Sequence, residues 1–312
     1  CKDLKNKKAP GYDGIMAEHF KFAGPGLTQV VTDIFNRICM IEKIPLQFKR
    51  GLLIPIPKGD KDRSSQDNHR GITLLQTMRK MFEKGLMQKN IDRRVRKGKI
   101  IDDLQGANQE KCSSLETNWL VREAIHHYNE QGSKLYVCML DVKKAFDSVW
   151  QGALFHKLYK AGMDPKVWRI TVDLFKEPHC CVRVGARGLH SRWIKAMQGI
   201  IQGGPLSMLN YETISNDLLV ELKECHAGTS VGDIITTAPA FADDLIVTAP
   251  NRNGLQRLID IVYNHSCKWR YQYNAKKCAI VVFNNKGEEE RPFKLGNGLI
   301  KIQPSRAHVG TL

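Results

Sequence analysis

The chain carries no Cys-x-x-Cys pair anywhere in its 312 residues. Its nine cysteines, Cys1, Cys39, Cys112, Cys138, Cys180, Cys181, Cys225, Cys267 and Cys278, are odd in number and scattered. That pattern argues against a disulfide framework and a zinc module, and predicts reduced thiols in an intracellular compartment, nuclear or cytoplasmic. Cys180 and Cys181 are adjacent, poorly spaced to chelate one zinc ion, and Cys138 lies inside an apolar run. No stretch of about 18 apolar residues occurs, so no membrane-spanning helix is expected. A signal peptide, an internal repeat, a low-complexity tract and a nuclease motif are also missing. The pair His126-His127 reads as surface or core rather than a metal site.

Negative charge is scarce. Asp plus Glu number 32 against 48 Lys plus Arg, a net charge of +16. A globular chain this basic usually faces a polyanion, and nucleic acid is the first candidate because Lys and Arg gain affinity by releasing condensed counterions. A membrane surface is the second, but the positive charge is not gathered on one amphipathic helix. Arg93-Arg94-Val95-Arg96-Lys97 is either a phosphate-backbone contact or a solvated helix face. Hydrophobic residues make up 42% and charged residues 26%, enough to bury a core and too ordinary for a disordered tail. The length suits two lobes or one composite domain.

Along the chain, Pro10-Gly11-Tyr12-Asp13-Gly14 is a turn cluster, and Val30, Val31, Ile34, Ile38 and Ile41 have helical spacing over 27–42. Gly51–Pro57 and Ile72–Leu75 read as strands around the charged loop Gly59–Asn68, with a basic helix over 76–97. After residue 135 the order is strand, helix, hairpin (Val182–Trp193), helix (Pro205–Leu222), strand hairpin (Ala240–Ala249), helix and strand (Ala279–Phe283), then the acidic turn Gly287–Pro292. The stripe Leu255, Leu258, Ile259, Val262 and Trp269 reads as core. This order predicts an α+β layer with helices on one face of a mainly antiparallel sheet.

Two acidic positions stand out. Asp141 ends an apolar strand, and Asp243-Asp244 sit at the tip of an apolar hairpin, Phe-Ala-Asp-Asp-Leu-Ile-Val. A lone Asp-Asp in a turn is ordinarily only a turn residue pair. Carboxylates at the ends of two apolar strands are costly unless offset by cations, and such hard oxygen donors suit Mg²⁺. Two ions about 4 Å apart would activate a 3′-hydroxyl and stabilise leaving pyrophosphate.

At these residues the sequence resembles the reverse transcriptases, and more closely those of LINE-type (non-LTR) retrotransposons. The resemblance spans nearly the whole chain. Lys8-Ala9-Pro10-Gly11-Tyr12-Asp13-Gly14, Asn68-His69-Arg70-Gly71-Ile72-Thr73-Leu74-Leu75, Leu140-Asp141 through Ala145-Phe146-Asp147, Gln202-Gly203-Gly204-Pro205-Leu206-Ser207, Phe241-Ala242-Asp243-Asp244, Asn274-Ala275-Lys276-Lys277 and His308-Val309-Gly310 are similar to the family's motifs, in the family's order. The match is nearest in kind to the Pol polyprotein of type-1 elements that insert into insect ribosomal RNA genes. Gly71 stands where the family usually has Pro, and Met208 where Pro commonly follows Pro-Leu-Ser.

The resemblance implies a right-hand polymerase fold within the α+β class, with fingers and palm present and the thumb missing or only begun. Residues 1–134 are then mainly fingers, 135–303 palm with a fingers insertion near 155–200, and 304–312 the truncated start of the primer-grip element. The chain, beginning at Cys1 and ending at Leu312, is read as a fragment of a longer polyprotein. Asp141, Asp243 and Asp244 are the implied catalytic acids and, with the Val142 carbonyl, the ligands of two Mg²⁺ ions, for which Mn²⁺ is a possible substitute. The resemblance also implies that Phe146 is the ribose-sensing aromatic, that Lys58 and Arg70 hold the triphosphate, and that Gln202 and Gly203 open the helix under the templating pair, the glycine allowing close approach of a nucleotide. Lys277 is a general acid for pyrophosphate or, on the plainer alternative, a surface lysine fixing a turn. The implied partners are an RNA template, a DNA primer or target, deoxynucleoside triphosphates and the rest of the polyprotein, including thumb, DNA-binding and endonuclease domains, with no membrane.

Two alternatives remain open: a group II intron reverse transcriptase with maturase activity, and a decayed copy that binds nucleic acid without catalysis. A viral RNA-dependent RNA polymerase fits less well, because Phe146 stands where RNA synthesisers tend to carry a smaller or polar group.

Overall fold

The structure, a computed structural model, describes residues 4–304 except 60–61, 89–100, 108, 110–111, 186–187 and 288. The Arg93–Lys97 cluster and the His308–Gly310 motif lie outside the described residues. Strands in chain order are β1 (Arg50–Pro57), β2 (His69–Leu75), β3 (Leu135–Leu140), β4 (His179–Val184), β5 (Leu189–His190), β6 (Ile194–Lys195), β7 (Ser230–Val231), β8 (Ile234–Ile235), β9 (Ala240–Phe241), β10 (Asp244–Ala249), β11 (Ala279–Phe283), β12 (Phe293–Leu295) and β13 (Gly298–Ile300). The chain divides into two compact units, one of Cys1–Gly98 with Leu154–Ser207, the other of Lys99–Ala153 with Met208–Leu312. Residues 99–134, grouped by sequence with the N-terminal stretch, thus lie in the second unit.

In the first unit, β1 and β2 form the expected hairpin, antiparallel from Gly51↔Leu75 to Pro57↔His69. β1 also pairs with β4 in parallel, Arg50↔His179 to Leu53↔Val182, a long-range contact that no local pattern announces. The Gly185 and Gly188 turn joins β4 to β5 as expected, with φ of 71° and 66°. The helix expected at 27–42 runs Pro25–Ile41 and stops at Glu42 in a left-handed conformation. The basic helix expected over 76–97 begins as Thr77–Phe82, then widens into a π-helical turn over Glu83–Gln88. Helix Pro165–Leu174 follows a clear start signal, with the Asp164 side chain accepting from Lys166 N–H and Val167 N–H and Pro165 at the first turn. Its Asp173 carboxylate accepts from Ile44 N–H at 2.8 Å and pairs with Lys49 at 3.0 Å.

The second unit is built on an antiparallel sheet of order β11-β3-β10-β9. Every residue of β3 is buried. Side chains alternate across a strand, so Tyr136, Cys138 and Leu140 pack with Leu218, Leu222, Leu258 and Val262 of helices Ser207–Glu224 and Arg252–Trp269. Leu135, Val137 and Met139 pack on the opposite face with Val121 of helix Ser114–Glu130. Helices therefore cover both faces of the sheet, not the single face expected. That is why β3 reads as a continuous apolar run without polar alternation. Truncating a fully buried leucine such as Leu258 to alanine would cost about 2–5 kcal/mol. The segment expected as one helix after Asp141 is two, Ala145–Ser148 and Gln151–Lys160.

All eight described cysteines are free thiols, with Cys138, Cys181 and Cys278 buried. His126 pairs with Glu130 on the surface. Among the described residues no helix is long and apolar enough to cross a membrane. The acidic turn near 290 is more than a turn: the Glu290 carboxylate meets Lys134, Arg252 and the Tyr136 hydroxyl.

Candidate active site

The sheet of the second unit assembles the carboxylates. Leu140 at the end of β3 pairs with Leu245 of β10, and Asp244 pairs with Phe241 across the hairpin. Continuing that register sets Asp141, the residue after β3, opposite Asp244, with Cα atoms on the order of 5 Å apart. Asp243 occupies the two-residue hairpin loop with Ala242, whose φ is 58°. Such loops favour a first residue at positive φ, which alanine adopts only under strain.

Two contacts of Gln105 meet that strained residue. Its side-chain Oε1 accepts from Ala242 N–H at 2.9 Å, and its Nε2 donates to the Ala242 carbonyl at 3.2 Å. The segment carrying Gln105 lies parallel to β9, with Gly106 N–H donating to Ala240 O and Ala240 N–H to Leu104 O. Gln105 is 1% exposed.

Lys277 reaches Asp141 from the other neighbouring segment. Asn274 N–H donates to the Asp141 carbonyl at 2.8 Å, and Lys277 N–H and Cys278 N–H both donate back to Asn274 O. This turn sets the Lys277 amine 3.9 Å from Asp141 Oδ2. Val142 forms a bridge with Tyr273 made by the Asp141 carbonyl and the Lys143 N–H, which leaves the Val142 carbonyl out of that pairing. Tyr271, just before the turn, is held by His265 Nδ1 at 2.9 Å, and His265 Nε2 by Asp217 at 2.9 Å.

Phe146, on the short helix after Asp141, stacks on Tyr211 of helix Ser207–Glu224. Tyr211 is buried, and burial pushes its phenol well above the ordinary range; the nearby charges of Asp243, Tyr271 and Asp244 add to this. The hydroxyl therefore stays protonated beside the carboxylates. A cavity of about 30 Å³ lies here, lined by Val142, Ala145, Tyr211, Asp243, Tyr271 and Tyr273 among others. Apolar walls beside Asp243 lower the local dielectric and strengthen its pull on a cation.

The remaining expected residues belong to the first unit. Arg70 is exposed opposite Ile56 in the hairpin, and Lys58 just beyond donates its amine to the Asp67 carbonyl at 2.9 Å. Gln202 and Gly203 lie in a turn before the helix, which begins at Ser207, not at Gln202. Thr73 N–H donates to Gln202 O at 2.9 Å, and Gly203 has φ of 109°. A Cβ there would stand 3.0 Å from Thr73 O, so the left-handed backbone and a close approach to β2 both favour glycine at this position.

A sequence profile described as "Reverse transcriptase (RNA-dependent DNA polymerase)" matches residues 56–299, most of the chain and every one of these positions. The chain belongs to the reverse transcriptase family. The RNA-directed DNA polymerase from mobile element jockey of Drosophila funebris is 25% identical over 293 residues, covering 90% of this chain and 31% of that protein. The retrovirus-related Pol polyprotein from type-1 retrotransposable element R2 of Nasonia vitripennis is 24% identical over 300 residues, 93% of this chain and 28% of that one. This reverse transcriptase chain is thus of the LINE, non-LTR, type and spans about a third of the length of these relatives. The solved structure of apo telomerase from Candida tropicalis, truncated from its C-terminal domain, matches with a TM-score of 0.55 at 14% identity, covering 84% of this chain and 56% of that one. At that identity the likeness is one of fold, an α+β polymerase-like architecture.

Reverse transcriptases depend on divalent metal. The donor types here, carboxylates at two strand ends and the Val142 carbonyl, are hard oxygens and fit such an ion. Among the described residues no three His, Cys, Asp or Glu side chains group tightly enough to hold one unaided.

Gln105 and Tyr211 were not legible as site residues. Neither stands in a motif that carries chemistry, and each touches the site only through the fold.

Proposed function

We propose that this chain is the catalytic core of an RNA-directed DNA polymerase that extends a DNA primer on an RNA template, as part of a retrotransposon polyprotein. The observation that carries the reading is the register that sets Asp141 beside the Asp243-Asp244 hairpin, with Lys277 3.9 Å from Asp141. In this reading residues 1–134 are mainly fingers and 135–303 palm with a fingers insertion near 155–200, and DNA-binding and endonuclease domains belong to the rest of the polyprotein.

Asp141 and Asp243 hold two Mg²⁺ ions, or Mn²⁺ in their place, with Asp244 close by and the Val142 carbonyl completing one shell. The ions, when bound, supply Lewis-acid activation of the primer 3′-hydroxyl and stabilise charge on the leaving pyrophosphate. Lys58 and Arg70 bind the triphosphate, placing positive charge where phosphate charge develops. Phe146 excludes a 2′-hydroxyl by occupying its space. The turn at Gln202 and Gly203 shapes the floor under the templating pair, and Lys277 delivers a proton to pyrophosphate.

The test is primer extension on an RNA template by the wild type, Asp141→Ala and Asp243→Ala, with RNA affinity measured alongside. Both variants are expected to lose extension by at least about 1000-fold while binding RNA nearly as well, since removing groups that stabilise only the transition state spares ground-state binding. Substantial extension by either variant would refute the assignment.

A further inference from the structure

Ala242 is a non-glycine residue with φ of 58° in the loop that carries Asp243. Left to itself, an alanine at this position relaxes toward negative φ, and the relaxation swings the next residue away. The side chain that meets both polar atoms of its backbone is Gln105, at 2.9 Å to the N–H and 3.2 Å from the carbonyl. We propose that Gln105 is a positioning residue for nucleotidyl transfer, whose amide clamps Ala242 in the left-handed conformation and so aims Asp243. The inference rests on the assignment of Asp243 as a metal ligand.

The clamp is itself preorganised. Gln105 Oε1 also accepts from Ala107 N–H at 3.1 Å, which fixes the rotation of the amide. Gln105 N–H donates to the Asp102 carbonyl, and Asp102 is tied to helix Ser207–Glu224 by Asn216 and Lys223. The backbone of Leu104 and Gly106 bonds Ala240, two residues before the loop. The amide is therefore held from both sides before it reaches the hairpin. A buried amide that satisfies both the N–H and the carbonyl of one residue, and so grips the peptide units on either side of its Cα, is geometrically specific: glutamate places an acceptor against the carbonyl, and leucine leaves both groups unpaired.

The 312-residue chain tests this with Gln105→Leu, Gln105→Glu, Ala242→Gly, the double variant Gln105→Leu with Ala242→Gly, and Asp243→Ala as reference. Single-nucleotide extension is measured for kcat, KM and primer–template affinity, and hydrogen exchange is followed at the hairpin amides. Gln105→Leu is expected to lower kcat about 100-fold, the scale of an ångström-sized misplacement, with KM and primer–template affinity little changed. The Ala242 amide should exchange faster while β3 and β11 keep their protection. Glycine adopts positive φ without strain, so in the Ala242→Gly background the same Gln105→Leu change should lower kcat less, by about 10-fold or under. A role confined to packing gives equal losses in both backgrounds and overturns the proposal, as does an unchanged Ala242 exchange rate. Failure of both Gln105 variants to fold also counts against it, because a positioning contact is dispensable for folding. If Asp243→Ala extends as well as the wild type, or nothing extends, the reading of the carboxylates falls, while hydrogen exchange still judges the clamp.

Discussion

The ring of Phe146 lies on the ring of Tyr211, with centroids 5.2 Å apart and planes inclined by 22°. Phe146 is only half-buried, whereas Tyr211 is 6% exposed and belongs to a long helix. One face of the candidate ribose sensor is thus braced by a rigid partner.

That brace makes sugar choice testable. Phe146→Val is expected to raise ribonucleotide over deoxynucleotide incorporation by roughly 10- to 100-fold, the range that a pocket's shape alone commands, with a modest loss of total rate. Tyr211→Leu should reproduce part of that gain by letting Phe146 move. Competition assays with paired ribo- and deoxynucleotides read the ratio. A folded Phe146→Val protein with an unchanged ratio would show that the ring is core and not a gate.

Lys277 separates proton transfer from charge. The 3.9 Å pair with Asp141 joins two side chains that are 55% and 41% exposed, so it contributes little to stability. Lys277→Ala should leave the melting temperature nearly unchanged and lower kcat by about 100-fold or more, as loss of a general acid does. Lys277→Arg keeps the charge, but guanidinium does not give up its proton at working pH. Its rate should therefore stay low. Recovery in the arginine variant would assign Lys277 to electrostatics alone.

Salt tests the net charge of +16. Binding of an RNA–DNA primer–template should weaken linearly on a log–log plot against salt, with a slope of about −0.7 to −0.9 per phosphate neutralised. Equilibrium titrations between low and physiological salt measure it. A flat plot would mean that the excess charge is not on the binding surface.

Acid should strain the first unit at Asp173. Burial works to raise that carboxyl, but the Ile44 N–H and the Lys49 and Lys43 amines outweigh it and hold its pKa below the ordinary value. A depressed folded pKa contributes stability that is fully present above the unfolded value of about 3.9 and is lost as pH falls through the folded one. Asp173→Asn should lower stability near pH 7 by about 2 kcal/mol and flatten the loss below pH 4. Urea melts at pH 7 and pH 3 decide this; equal acid sensitivity in variant and wild type would contradict it.

The sequence by itself determined whatever is written in neighbouring residues. Leu135–Leu140 had to be a buried strand, because a run of β-forming apolar residues ending on Asp141 has no polar face to offer water. Phe-Ala-Asp-Asp-Leu-Ile-Val had to turn near its acids, though the loop falls on Ala242 and Asp243, one residue earlier than the acid pair, with Asp244 already in β10, and the stripe Leu255, Leu258, Ile259 and Val262 had to face a core. With the motifs in order, Asp141, Asp243, Asp244 and Lys277 were legible as candidates from the chain alone. Tertiary structure decided the rest, because register and packing between distant segments leave no local periodicity. It set Asp141 opposite Asp244, brought Lys277 to Asp141 through the Asn274 turn, and paired β1 in parallel with β4. It also showed that Gly203 yields to Thr73, put a second layer of helix on the sheet, laid Tyr211 under Phe146 and passed the Gln105 amide to Ala242 across 137 positions of chain. A hydrogen bond between residues that far apart depends on where the whole fold carries each end, and no window of sequence contains both.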